Sequence, residues 1–109
     1  MITIFFTIIV GGTVMILLSI PLYLQKIGPN GLYGFRVKKT LENPELWYPV
    51  NKYASVWLML AGGVMIIAAV VLLFVPGLGV DTYSLTCAAI LTVVLTIMMV
   101  MTTRYMNTL

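Results

Sequence analysis

Three runs in this chain hold no charged residue: Ile2–Leu24, Tyr53–Val75 and Tyr83–Thr103. Each exceeds the roughly 20 helical residues, at about 1.5 Å rise per residue, that cross a hydrocarbon core of about 30 Å. Inside lipid no water satisfies a free N–H or C=O, so a spanning segment of this kind closes its hydrogen bonds within itself, as an α-helix. The sequence therefore predicts an all-α integral membrane protein: one domain over residues 1–109, with spans near 2–24, 53–75 and 83–103. Composition agrees. The chain is 61% hydrophobic and 8% charged, against about 25% charged for soluble domains. Too little polar surface exists to cover a water-soluble fold.

The first span does not read as a cleavable leader. It has no basic n-region, it is longer than an h-region, and no small-residue cleavage site precedes Lys26. Pro21, near its end, removes one helical hydrogen bond and predicts a bend there.

Charge sets the expected orientation. Lys26, Arg36, Lys38, Lys39 and Lys52 lie between the first and second spans, and Arg104 follows the third. With alternating helices these all fall on one side, and the opposite turn, PGLGVDT, carries only Asp81. The positive-inside rule predicts that loop 25–52 and the C-terminus are cytoplasmic and that the N-terminus is outside. Tyr23, Trp47, Tyr48, Tyr53, Trp57 and Tyr105 cluster at the same end, where amphipathic rings prefer a membrane interface. A basic loop beside the membrane also predicts contact with anionic headgroups, and no direct role with nucleic acid.

Helix packing has two signals. Gly11-Gly12 and Gly62-Gly63 lie near the middles of spans one and two, at similar depth in antiparallel neighbours, which predicts a close backbone approach. Ser84, Ala88, Thr92 and Thr96 form a small, weakly polar stripe on span three. A helix–helix contact face is the favoured reading and a solute pathway in an oligomer the other. Cys87, the single cysteine, reads as a small packing residue.

The residue inventory limits chemistry. With no histidine, imidazole metal ligation and histidine acid–base catalysis are excluded. The carboxylates are Glu42, Glu45 and Asp81, with Asp81 expected across the membrane from the others. No span carries an ionisable relay group, and no phosphate-binding or dinucleotide motif is present. A non-enzymatic protein is expected, with no cofactor and no metal.

The loop is the informative part. It is long for structureless chain, which predicts local order. Gly28, Pro29, Asn30 and Gly31 supply turn chemistry. Asn43, Pro44 and Glu45 read as N-cap, first helical position and first-turn acid of an interfacial helix. Trp47, Asn51, Ser55 and Leu58 then share one face. Pro49 predicts a kink near Tyr48. Arg36 has two readings. It recognises a lipid headgroup, a peptide or a partner, or it clamps the loop by bonding its carbonyls or Glu45 and holding it against Trp47.

In order and spacing, Asn30, the triplet Gly34-Phe35-Arg36, Thr40-Leu41, Asn43, Trp47 and Asn51 resemble the signature loop of the SdpI family of small bacterial membrane proteins. Val37 stands where that family commonly has Thr, Pro49 interrupts the helical stretch, and longer members carry further membrane helices. The resemblance implies a multi-pass protein giving immunity to a membrane-active peptide toxin, or signalling its presence by holding a repressor at the membrane. It also implies that Asn30, Gly34, Phe35, Arg36, Thr40, Asn43, Trp47 and Asn51 form the working loop. Two other readings stand beside it: a small structural or accessory subunit of a larger membrane complex, and an oligomeric lipid- or solute-handling protein.

Overall fold

The computed structural model describes all residues, Met1–Leu109. It contains four helices: α1 (Ile2–Tyr23), α2 (Lys38–Glu42), α3 (Pro44–Leu73) and α4 (Val80–Met106). The three long ones, α1, α3 and α4, are each long and apolar enough to cross a membrane. They form an elongated bundle with extents of 50 × 23 × 19 Å. Only 18 of 109 residues are buried, while Phe6, Leu17, Ile67, Phe74, Leu85 and Val93 stand exposed. That much bare apolar surface suits a helix bundle solvated by lipid tails.

The expected interfacial helix is not a separate element. Its residues are the first turns of α3, which runs unbroken past Pro49 into the second span. Pro44 occupies the first turn, where its missing N–H costs nothing. Pro21 lies inside α1, two residues before its end. A five-residue helix, α2, stands in the loop just before α3.

α3 is the hub. Both α1 and α4 pack along it, whereas α1 and α4 scarcely meet. The α1–α3 crossing is set by one glycine from each pair. A Cβ built on Gly12 would stand 2.8 Å from the Gly62 carbonyl oxygen, and one on Gly62 would stand 2.6 Å from the Gly12 oxygen. Gly11 and Gly63 face open space. The two backbones touch, and only Gly permits it.

Two small clusters fix α4. Met65, Tyr83 and Cys87 pack together with Ile4 and Ile8 of α1 nearby, and the Tyr83 hydroxyl donates to the Ala69 carbonyl of α3 at 2.8 Å. Cys87 is buried there, in the packing role expected of it. At the other end Phe35, Val50, Ala54 and Met106 form a core with Val37 and Tyr105 against it. The Tyr53 and Tyr105 rings stack at 4.4 Å.

The stripe on α4 lies off the face that packs within this chain. Ala88, Thr92 and Thr96 are exposed. The face that packs carries Tyr83, Cys87, Thr102 and Met106. Ser84, Thr92 and Thr96 each donate to the carbonyl four residues earlier, which satisfies their hydroxyls without a partner helix. Thr102 alone keeps a buried hydroxyl with no partner.

Candidate functional site: a clasped loop beside an open groove

The loop begins with Asn30. Its Oδ1 accepts from the backbone N–H groups of Leu32 (2.8 Å) and Tyr33 (2.9 Å), and its Nδ2 donates to the Gly28 carbonyl at 2.9 Å. One side chain thus replaces the hydrogen bonds that a regular element would supply. The turn delivers Gly34 at φ +115°, a backbone state that side chains rarely adopt. A Cβ there would also lie 2.8 Å from Asn51 Oδ1 and 3.0 Å from the Trp47 ring. Gly34 is therefore required twice over, by conformation and by space.

Asn51 ties the loop to α3. Its Oδ1 accepts the buried Phe35 N–H at 2.5 Å, and its Nδ2 donates to the Trp47 carbonyl one turn earlier at 3.0 Å. Trp47 is fully buried, and its indole Nε1 donates to the Ile27 carbonyl at 2.7 Å. The loop therefore hangs from α3 by two side chains a turn apart. The Trp47 ring is enclosed because the loop folds over it.

Thr40, fully buried in α2, knits the far side of the loop. Its hydroxyl oxygen lies 2.8 Å from the Phe35 carbonyl and 3.0 Å from the Val37 carbonyl, and accepts the Val37 N–H at 3.1 Å. Asn43 holds the N-cap position of α3, and its carbonyl accepts from Leu46 and Trp47. Its side chain makes no cap bond to α3. It donates instead to the Lys39 carbonyl at 2.8 Å and so closes the end of α2. The expected cap is right in place, but its amide is spent on the preceding helix.

Arg36 stands apart from all of these. Phe35 before it is buried, but Arg36 is exposed, and its guanidinium makes no hydrogen bond or ion pair. The clamp to Glu45 or to loop carbonyls does not form. Asn30, Thr40, Asn43, Trp47 and Asn51 spend their polar groups on holding the loop. Arg36 is the member of the motif left free.

Beside the clasp lies a groove of about 440 Å³. Met15, Leu18 and Leu22 of α1 form one wall and Met98 and Met99 of α4 the other. Asn51, Ala54 and Leu58 of α3 form the floor, and loop residues Tyr33–Val37, Arg36 among them, close one end. The groove exists because α1 and α4 each pack mainly on α3 and scarcely meet. Its α1 and α4 walls were not legible in the sequence, since nothing in an all-round apolar helix says which leucine faces a gap.

The other basic residues sit at the same end. Lys52 Nζ lies 5.0 Å from the centre of the Tyr23 ring, a cation–π contact, and Lys39 reaches Asn107 at 3.5 Å. Lys38 is exposed.

Fold and site together define a small multi-pass membrane-helix protein whose long connecting loop is clasped onto one helix. A family model described as the SdpI/YfhL protein family matches residues 26–105. The chain belongs to that family, and the match takes in the whole clasp together with α3 and all but the last residue of α4. No curated protein and no solved structure matches the chain.

Proposed function

We propose that this protein guards a bacterial inner membrane against a membrane-active peptide, or relays the presence of one, through the loop that carries Arg36. Family membership supports the class of role. The observation that carries the reading is the division of labour in the motif: its other polar members bond to the loop's own backbone, while Arg36 is exposed and unpartnered. A rigid platform presenting one free guanidinium is suited to recognition and offers no proton-transfer chemistry. The role is therefore a binding role, non-enzymatic, with a peptide toxin or a cytoplasmic repressor as partner and the loop on the cytoplasmic side.

The test is a toxin challenge in cells that express the chain, comparing wild type with Arg36→Ala at matched protein level. Protection that survives in wild type and is lost in the variant is the expected outcome. Equal protection by both sinks the assignment of Arg36.

A second reading draws on the α4 stripe. Ala88, Thr92 and Thr96 present small, exposed side chains. Such a face suits a neighbouring membrane helix, either in a second copy of the chain or in a larger complex.

A further inference from the structure

We propose that the groove between α1 and α4 is a binding site for one acidic phospholipid, its acyl chain lying along α3 and its anionic headgroup held by Arg36. The proposal concerns the same guanidinium as the protective role, but it stands on the groove, and lipid retention reads it independently of a toxin challenge.

Three observations converge. The first is shape. The groove follows α3 from Asn51 to Leu58, about 10 Å of helix. Its volume of about 440 Å³ falls within the range of small-ligand pockets, about 300–1,000 Å³. That is room for part of one lipid chain, entering sideways between helices that scarcely meet.

The second is the distribution of polarity. The walls are leucine and methionine, and the polar groups lie only where the loop closes the groove. Of these, the Asn51 amide is spent at both ends and the Phe35 N–H is already bonded to it. The free side-chain donors left at that end are the Arg36 guanidinium, which alone carries charge, and the Tyr33 hydroxyl. A ligand that fits is apolar along its length and anionic at one end.

The third is charge. No carboxylate lines the groove, and none pairs with Arg36. Lys38, two residues on, adds a second exposed cation. A guanidinium beside a membrane surface, with its fork unoccupied, matches a phosphate geometrically and electrostatically. The flexible Met98 and Met99 side chains suit a wall that adapts to a mobile chain.

The experiment uses the full-length protein in nanodiscs of equal phosphatidylglycerol and phosphatidylcholine, released into a native mass spectrometer. Wild type is expected to retain one phosphatidylglycerol in preference to phosphatidylcholine. Arg36→Gln is expected to lower that preference about tenfold, the scale of one charge-assisted contact, and Arg36→Lys to restore part of it. Leu58→Trp fills the groove, leaves Arg36 in place and is expected to abolish the retained lipid. If Leu58→Trp fails to fold by circular dichroism, Met99→Trp on the exposed wall takes its place. Equal retention of the two lipids by wild type overturns the proposal and turns attention to a hydrophobic peptide as occupant. An unchanged preference in Arg36→Gln overturns the headgroup assignment. A retained lipid in the groove-filling variant overturns the groove.

Discussion

Asn51 is the side chain whose loss tests the clasp most directly. It is 1% exposed, and its Oδ1 is the acceptor for the Phe35 N–H in a region where Phe35 itself is 5% exposed. Asn51→Leu keeps the volume and removes both polar atoms. The Trp47 carbonyl loses its side-chain donor, but a helical carbonyl keeps its backbone partner, so that loss is minor. The Phe35 N–H has no such reserve and is left buried and unbonded. Orphaning a buried donor costs about 1–3 kcal/mol. The cost falls on the closed loop and not on the bundle, because the α1–α3 crossing at Gly12 and Gly62 lies elsewhere. The opening equilibrium of the loop should therefore rise roughly 5- to 150-fold.

Amide hydrogen exchange read at Phe35, in detergent or nanodiscs, measures that ratio. Ser55→Ala is the control. Ser55 lies one turn further along α3, is also fully buried, and its hydroxyl donates only to the Lys52 carbonyl of its own helix. It should leave Phe35 exchange unchanged. If Asn51→Leu and Ser55→Ala leave Phe35 equally protected, Asn51 does not hold the loop and the account of the clasp is wrong.

Other substitutions probe the remaining parts. Gly62→Leu should abolish folded protein, because its Cβ alone would stand 2.6 Å from the Gly12 oxygen, whereas Gly63→Leu, facing open space, should be tolerated; yield and thermal melting by circular dichroism report both. Gly34→Ala should loosen the loop by about 1–3 kcal/mol, since a side chain at φ +115° is strained and meets Asn51, and faster exchange at Phe35 should show it. With the positive-inside orientation, a cysteine at position 38 in a chain with Cys87→Ala should be labelled by a membrane-impermeant thiol reagent only after permeabilisation; labelling of intact cells would reverse the topology.

Much of the loop motif was legible because its members are residues with narrow uses. Asn30 beside Gly31 spells a turn, and the structure shows its amide closing one. Trp47, Asn51 and Ser55 share a face by helical spacing, and all three are buried. The destinations of the side chains were less legible. Asn43 reads as a cap for the helix that follows it, yet bonds the helix before it, because the tight α2–α3 junction brings the Lys39 carbonyl within reach. Trp47 reads as one of several rings near the interface, and its burial could not be read there, because the partner that satisfies its indole is a carbonyl 20 residues earlier in the chain.

The division between sequence and structure follows from the solvent. Length, lack of charge and the absence of water in a bilayer determine three helices from the sequence alone, and the clustering of lysine and arginine sets the expected side of the loop. Those signals carry no information on facing. In water the apolar stripe of a helix marks its buried side. In lipid, apolar residues are favourable on every side, so α1, α3 and α4 are hydrophobic all round and their faces are chosen by fit. Only the tertiary structure could decide that Gly12 and Gly62 meet while Gly11 and Gly63 do not, and that the small stripe of α4 points away from the bundle. It likewise decided that α1 and α4 stay apart to leave a groove, and that Arg36, among the polar residues of the motif, ends with its donors free.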